Sequence, residues 1–493
     1  MTVHAQEVAT ELYTCPIYIG TSWTASRGRT VVLENPASGA ATTIIPYCTV
    51  EEVEAAIETA DRAFASWRDT PVPTRTRVLF CYRKLLEEHL EEMARLVTLE
   101  NGKTLEEARG SVRRGIEAVE FACGIPSLMK GETLENIAAG IDTCTLRQPL
   151  GVCAGIPPFN FPAMVPLWMF PLALACGNTF VLKPSDKVPR TGTRMVELLY
   201  EAGLPAGVVT VVHGGKEAVD VLLRDPRVKA VSFVGSSPVA KYVYETASAN
   251  GKRVQALGGA KNHAVVMPDC DLKATVKALI GAAFGSAGER CLATSVVVAV
   301  GEAAEPLVRA LREAADQMKV GAGTEKETDM GPVISRAHRE RILQYIALGE
   351  KEGAQLVRDG RQLKTHDSST GYYVGPTIFD RVQPAMRIAQ EEIFGPVLSI
   401  IRADTLAEAL GVVNQSAYGN ATAVYTRSGA VAREFATRVQ AGMVGINVGV
   451  PAPPAFLPFA GWKGSFYGDL HAHGKDAIRF YTETKVITSR WNP

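Results

Sequence analysis

No excess of charge of either sign marks this chain: Lys and Arg together number 52, and so do Asp and Glu. A chain without net charge has no global field to gather nucleic acid or an anionic membrane, though a local anion site stays open. There is no Cys-x-x-Cys and no Cys/His cluster at metal-ligand spacing. The nine cysteines form an odd, scattered set, which reads as reduced thiols rather than a disulfide framework. His471 and His473 stand close together without further ligands nearby and read as part of a surface loop. The Gly-x-Gly-x-x-Gly fingerprint of ordinary dinucleotide folds is missing, so pattern alone leaves a nucleotide cofactor undecided. Short-period repeats and low-complexity linkers are absent too.

The segment Met1 to Pro16 holds two acids, no Arg and no apolar core, so neither a transit peptide nor a secretion signal is expected. The 35 residues between Arg147 and Lys183 carry no charge, long enough to suggest a membrane span. Pro157, Pro158, Pro162, Pro166 and Pro171 interrupt it, and they would break a single helix repeatedly. The segment is therefore expected to be a buried strand, a loop and a buried helix in a soluble, cytoplasmic protein.

What is present is an ordinary globular composition, 46% hydrophobic and 21% charged over 493 residues. That length predicts roughly two to four domains of about 100–200 residues each. Val53, Ile57, Ala60, Phe64 and Trp67 recur at helical spacing, and a longer helical stretch runs from about Thr74 to Arg109. Strands are predicted at Leu150–Ile156, Asn178–Leu182, Val208–Val212 and Val228–Val234, with helices at Thr193–Ala202 and Val239–Ser248 between and after them. This alternation implies a parallel sheet covered on both faces. In the second half Leu307, Leu311, Ala314 and Met318 form a helical stripe, and strands are expected at Val397–Ile401 and Gly442–Asn447. Two α/β domains are the simplest arrangement.

Cys291 differs from the other cysteines in sitting directly beside a basic residue, in Gly288-Glu289-Arg290-Cys291. A neighbouring guanidinium favours the thiolate, the reactive form. Cys270 lies between Asp269 and Asp271, which should suppress ionisation; the other seven read as packing residues. Asn160, in Pro158-Phe159-Asn160-Phe161-Pro162, is an amide in a stiff apolar segment. It either satisfies local backbone or donates to an oxyanion. Gly235-Ser236-Ser237 follows a strand and opens a helix, where it could seat a phosphate, although Ser is also a common N-cap. Lys183 with Asp186 could hold ribose hydroxyls or be solvated loop charges.

Five of these segments, in order and in register, resemble the aldehyde dehydrogenase superfamily: Pro158-Phe159-Asn160-Phe161-Pro162, Leu182-Lys183-Pro184-Ser185, Phe233-Val234-Gly235-Ser236, Gly288-Glu289-Arg290-Cys291 and Glu391-Glu392-Ile393-Phe394-Gly395-Pro396. The resemblance implies an α/β fold in three parts: a Rossmann-like NAD-binding domain (1–131 and 150–258), an α/β catalytic domain (259–460) and a small oligomerisation arm (132–149 and 475–493). It implies that Cys291 is the nucleophile, and that Asn160 and the backbone amide of Cys291 stabilise the oxyanion. Lys183 and Asp186 would hold the adenine ribose of NAD, Phe159 and Ser236 neighbouring groups, and Glu392 the nicotinamide ribose. Pro157, Lys187 and Gly258 complete the implied cofactor contacts, with no metal. An acid at Asp186 would repel a 2′-phosphate, so NAD is favoured over NADP.

One departure carries information. Most members have a glutamate in Glu-Leu-Gly-Gly-Lys that activates the deacylating water. Here the stretch reads Gln255-Ala256-Leu257-Gly258-Gly259-Ala260-Lys261-Asn262, which puts Leu257 or Ala256 at that place. Neither accepts a proton, and a thioester lacking a base for water should wait for a thiolate. The loss, with Gly259-Ala260-Lys261-Asn262-His263, Trp168-Met169-Phe170-Pro171 and the tail from Gly445-Ile446-Asn447 through Phe480-Tyr481-Thr482, resembles the CoA-acylating methylmalonate-semialdehyde dehydrogenases. That branch implies coenzyme A as co-substrate, with Arg290 and Arg114 (beside Arg113) gripping a substrate carboxylate. It also implies a homo-oligomer, dimer or tetramer. The competing expectations are a hydrolytic enzyme using another base such as Glu289, or a non-catalytic protein that keeps the fold. Ala240 replaces the Gly that usually ends the Gly-Ser-Thr-x-x-Gly turn.

Overall fold

The computed structural model describes residues 12–363 and 370–491. Most of Met1–Pro16 and the extreme ends of the expected cofactor domain and arm lie outside these residues.

The alternation read in the first half builds an eight-stranded sheet. Its parallel centre comprises β1 (Val152–Ile156), β2 (Thr179–Leu182), β3 (Val209–Val211), β4 (Val228–Val234) and β5 (Arg253–Leu257), in the order β5-β4-β1-β2-β3. Short antiparallel strands close both edges, Phe466–Tyr467 beside β5 and, beside β3, Ile17–Ile19 followed by Ser22–Thr24. The strands are short and almost wholly apolar because both faces are covered. At Gly155 in β1 a Cβ would lie 2.6 Å from the Phe180 ring, so no larger residue fits. The order reverses between β1 and β4. In such sheets the loops at the carboxyl ends of the strands flanking that point form the ligand crevice.

The uncharged stretch resolves as expected: β1, a loop, then a helix completely surrounded by protein, α2 (Met164–Ala175), whose residues from Val165 onward are all buried. Packed on it is α1 (Leu105–Cys123), opened by a capping box between Thr104 and Glu107. The two helices meet closely at Gly115, where a Cβ would lie 2.6 Å from the Leu167 side chain. The expected single helical stretch from Thr74 to Arg109 is instead three helices, Val72–Glu88, Leu90–Asn101 and α1. The second of them ends at Gly102, in the left-handed conformation (φ 88°) that side-chain-bearing residues avoid. The helix α3 (Ser237–Ala249) starts normally despite Ala240, which packs in the core.

A second, seven-stranded sheet is built around β6 (Asn262–Val266), β7 (Thr294–Val300) and β8 (Ala421–Tyr425), with β6 between the other two. Val397–Ala403 and Met443–Ile446 join it, as anticipated from sequence. The predicted stripe of Leu307 and Leu311 is buried in a helix that stops at Asp316, leaving Met318 beyond it. Strands Thr133–Ala138, Ile141–Pro149 and Thr482–Arg490 form a separate three-stranded sheet. Among the described residues no helix is long and apolar enough to cross a membrane.

Asn178 joins this sheet to the first. Fully buried, it accepts from the Leu150 and Gly151 N–H groups (2.7 and 3.1 Å) and donates to Ala173 O and Tyr481 O (3.1 and 2.9 Å). Asn178→Ala takes this partner from the Leu150 and Gly151 N–H groups and from Tyr481 O, while Ala173 O keeps the backbone N–H of residue 178. The substitution is expected to cost about 3 kcal/mol or more and to lower the thermal unfolding midpoint clearly, whereas an unchanged midpoint would contradict this role.

Candidate active site

Before reaching Cys291 the chain passes through a tight turn at Gly285–Gly288. Ser286 and Ala287 both adopt left-handed backbone there (φ 50°, ψ 41° and φ 52°, ψ 31°). Two such non-glycine residues store strain on the order of 1–3 kcal/mol each and persist only where the surroundings hold them. Glu107, from the first turn of α1, supplies the hold. Its Oε1 accepts from the Ser286 N–H (2.6 Å) and from the Arg290 guanidinium (2.8 Å), while Oε2 closes the capping box. At Gly288 a Cβ would lie 2.3 Å from Gly395 O, so the loop presses against the Phe394-Gly395-Pro396 segment.

Cys291 itself is partly exposed and packs against the edge of the main core. Its carbonyl accepts two side-chain amides, Asn262 Nδ2 at 2.9 Å and Asn420 Nδ2 at 2.8 Å. Burial pushes the thiol up to about 12, and the Glu392 carboxylate pushes the same way. The N–H groups of Cys291 and Leu292 pull downward, and the Arg290 guanidinium pulls least. The Arg290 guanidinium therefore acts in the expected direction but is outweighed by burial. It turns to Glu107, Gly281 O and Ser286 Oγ, where it braces the loop rather than creating a resting thiolate. Cys270 behaves as expected: burial, then Asp269 and Asp271, raise its pKa.

Asn160 is brought to the same loop. Its Nδ2 donates to Glu289 O at 3.0 Å, and its own carbonyl accepts from the buried Lys103 Nζ at 2.5 Å. Lys103 lies 4.1 Å from the centre of the Phe161 ring, and burial lowers its pKa to about 7. The Glu289 carboxyl points away from this arrangement. It accepts from the Ile334 N–H (3.1 Å), lies 3.4 Å from His338 Nε2, and is pushed by burial up to about 8. At the stretch where a water-activating acid was missing, Ala256 and Leu257 are buried in β5, paired with Phe233 and Val234 on one side and Tyr467 and Phe466 on the other.

The remaining sequence-picked residues gather at the switch point. Pro157 and Phe159 follow β1, and Ser236 sits exposed at the N-cap of α3 without a side-chain capping bond. Lys183, at the end of β2, is buried rather than a solvated loop charge; its Nζ donates to Gly214 O at 2.7 Å, and burial lowers its pKa. Asp186 accepts from the Tyr47 hydroxyl at 3.0 Å, and Lys187 Nζ lies 4.8 Å from the Phe159 ring centre. Gly258 has no room for a side chain, since a Cβ would lie 2.8 Å from both Gly464 O and Ser237 Oγ. Glu392 accepts from the Ala260 N–H at 2.8 Å, and burial raises its pKa.

The two arginines have different partners. Arg114 donates to Glu117 (2.6 Å) and Pro453 O (2.5 Å), while Arg290 bonds Glu107. Glu107 lies about two helical turns, roughly 10 Å, before Arg114 on the same helix. Arg113 is exposed. His473, expected on a surface loop, is buried instead, edge-on to the Trp168 ring at 4.2 Å, and neither ring nitrogen finds a partner among the described residues. His471 lies against Phe466. Sequence reading missed Glu107, Lys103 and Asn420. Only Glu107 left a local signal, its capping-box spacing from Thr104.

Residues 23–487 match the aldehyde dehydrogenase family. Malonate-semialdehyde dehydrogenase 2 of Geobacillus kaustophilus (strain HTA426) is 57% identical over 485 residues, covering 98% of this chain and 100% of that one. Among solved structures, methylmalonate-semialdehyde dehydrogenase from Oceanimonas doudoroffii superposes with a TM-score of 0.96 at 51% identity, covering 98% of this chain and 99% of the other. A protein from Sinorhizobium meliloti 1021, crystallised in complex with NAD, gives 0.97 at 46% identity with the same coverage. The chain belongs to the aldehyde dehydrogenase family.

Proposed function

We propose that this enzyme oxidises a carboxylated semialdehyde, malonate or methylmalonate semialdehyde, with NAD and passes the acyl group to coenzyme A. The observation that carries the reading is the pair Ala256 and Leu257, buried in a paired strand where a carboxylate would otherwise activate water. The names of its relatives support the substrate.

The switch-point crevice fits a dinucleotide. It has a free helix N-terminus at α3 for phosphate and an acid at Asp186 for ribose hydroxyls. Gly258 keeps the floor low, and Glu392 waits on the side of Cys291. Residues 1–131 and 150–258, which carry all but one strand of the eight-stranded sheet, are the cofactor domain in this reading, and 259–460 the catalytic one. NAD, when bound, supplies the acceptor for the hydride that leaves the substrate carbon.

Cys291 Sγ adds to the aldehyde carbon and loses its proton as the bond forms, since burial disfavours a resting thiolate. The new oxyanion takes hydrogen bonds from Asn160 Nδ2 and the Cys291 N–H. Oxidation leaves an acyl thioester on the sulfur. A carboxylate β to that carbonyl departs as CO2, and the electron pair it leaves behind is held as the thioester enolate until protonated. The CoA thiol then attacks the carbonyl, takes the acetyl or propionyl group and returns the Cys291 thiol. In this reading Arg114 and Arg290 hold the substrate carboxylate until it departs. Exposed Leu134, Ile137, Leu146, Val486, Ile487 and Trp491 on the three-stranded arm (132–149 and 475–493) support a dimer or tetramer. The all-free cysteines support a cytoplasmic setting.

Glu392, whose charge bears on the sulfur, favours one alternative: hydrolysis with Glu392 as the base. Steady-state NADH formation decides between them. Turnover is expected to require CoA, and equal rates with and without it would overturn acyl transfer. Asn160→Ala is expected to lower kcat about a hundred- to thousandfold, the usual cost of one oxyanion donor, and a loss below tenfold would refute its role. Arg114→Ala should raise KM for the carboxylated aldehyde at least about tenfold more than for propanal; equal effects would remove Arg114 from the carboxylate site.

A further inference from the structure

The peptide unit between Cys291 and Leu292 is gripped from one side only. Its carbonyl oxygen receives Asn262 Nδ2 at 2.9 Å and Asn420 Nδ2 at 2.8 Å, filling both lone-pair directions. Both asparagines are buried, each 5% exposed. Asn262 heads β6, where its second amide hydrogen meets Ala293 O at 2.9 Å. Its Oδ1 accepts the Ala421 N–H at 3.0 Å, which fixes the amide's orientation. Asn420 immediately precedes β8, the strand paired with β6. Opposite a carbonyl only its NH2 end can bond, so its orientation is fixed as well. Two adjacent strands of the catalytic sheet thus end in amides aimed at one atom of the nucleophile's backbone.

A trans peptide is planar, with its C=O and N–H pointing opposite ways. Whatever fixes the Cys291 carbonyl on the asparagine side therefore fixes the Leu292 N–H on the other. We propose that Asn262 and Asn420 are positioning residues of this enzyme, an amide clamp that aims the Leu292 N–H at Cys291 Sγ and steadies the anionic sulfur during attack and release. The inference rests on Cys291 being the nucleophile. Hydrogen bonds in series polarise one another, so two amides on the carbonyl also strengthen the N–H as a donor. The direction of effect agrees: the Leu292 and Cys291 N–H groups favour the thiolate against the burial that opposes it. The clamp thus offsets part of the desolvation, adding to the smaller pull of Arg290. Neither asparagine needs to touch substrate or cofactor.

The test uses the full-length enzyme without substrate. Alkylation of Cys291 by iodoacetamide is followed by peptide mass spectrometry from about pH 7 to about pH 10. Asn420→Leu, which keeps the volume and loses the donor, and Asn262→Ala are each expected to slow alkylation at about pH 8 by roughly three- to tenfold, moving the profile upward by about half to one unit. With substrate, kcat should fall while KM for the aldehyde stays within about twofold, because the lost interaction acts on the sulfur and not on binding. Asn447→Ala is the control. Its amide bonds Thr426 O and N–H (both 3.0 Å) in the same sheet, so it removes a comparable structural contact and should leave the profile unmoved. Profiles of a folded clamp variant that superpose on the parent would overturn the proposal. So would an equal shift in Asn447→Ala, which would reduce the clamp to general stability. Cys291→Ala separates the two levels: persistent turnover there would overturn the nucleophile assignment itself, whereas full loss with unmoved clamp profiles overturns only the clamp.

Discussion

A thiol held where charge is costly is the constraint on which this site depends. Burial around Cys291 Sγ pushes its pKa to about 12, and Glu392 adds to the penalty. Such a sulfur cannot wait as a thiolate at neutral pH; each unit of pKa removes about tenfold of the reactive form. The protein answers mainly with neutral dipoles, which outweigh the pull of the Arg290 cation. The N–H groups of Cys291 and Leu292 favour the anionic sulfur, and the Asn160 amide stands at the same loop. Preorganised dipoles in a dry site stabilise developing charge without having to reorganise when it appears.

Those dipoles are only as good as the backbone that carries them, and here the backbone is strained. Ser286 and Ala287 in left-handed conformations turn the chain sharply before Cys291. One carboxylate, Glu107, holds the turn through Ser286 and Arg290, and it is itself fixed by the capping box that starts α1. The close contact of α1 with α2 at Gly115 fixes that helix in turn to the buried core beneath β1. Strain at the site is thereby offset by packing several turns away, the usual arrangement when a functional loop departs from preferred geometry.

The eight-stranded sheet was legible in the amino-acid sequence because its signals are local. Short apolar strands, each followed by a turn bearing Pro157, Lys183 or Ser236, place those residues at strand ends by chain order alone, and the prolines of the uncharged stretch already excluded a single span. The nucleophile region was half legible. The motif around Cys291 pointed to this sulfur and to a guanidinium that favours its anion, but not to the burial that outweighs it, since sequence adjacency says nothing about where a guanidinium turns or what a sulfur packs against. Glu107 lies 183 residues from Arg290 and Asn420 129 residues from Cys291, and no periodicity links such pairs. His473 failed for the same reason. Its burial against Trp168 is a property of the assembled core rather than of the polar segment around it.

At the centre of the account stands an acyl enzyme that water does not release, because the strand carrying Ala256 and Leu257 offers no base. The most direct measurement is intact-protein and peptide mass spectrometry of the enzyme mixed with semialdehyde and NAD, with CoA withheld. The account predicts that the peptide containing Cys291 gains a decarboxylated acyl group, which persists for minutes and vanishes at once when CoA is added. An unmodified Cys291 peptide accompanied by continuing release of free acid would contradict it.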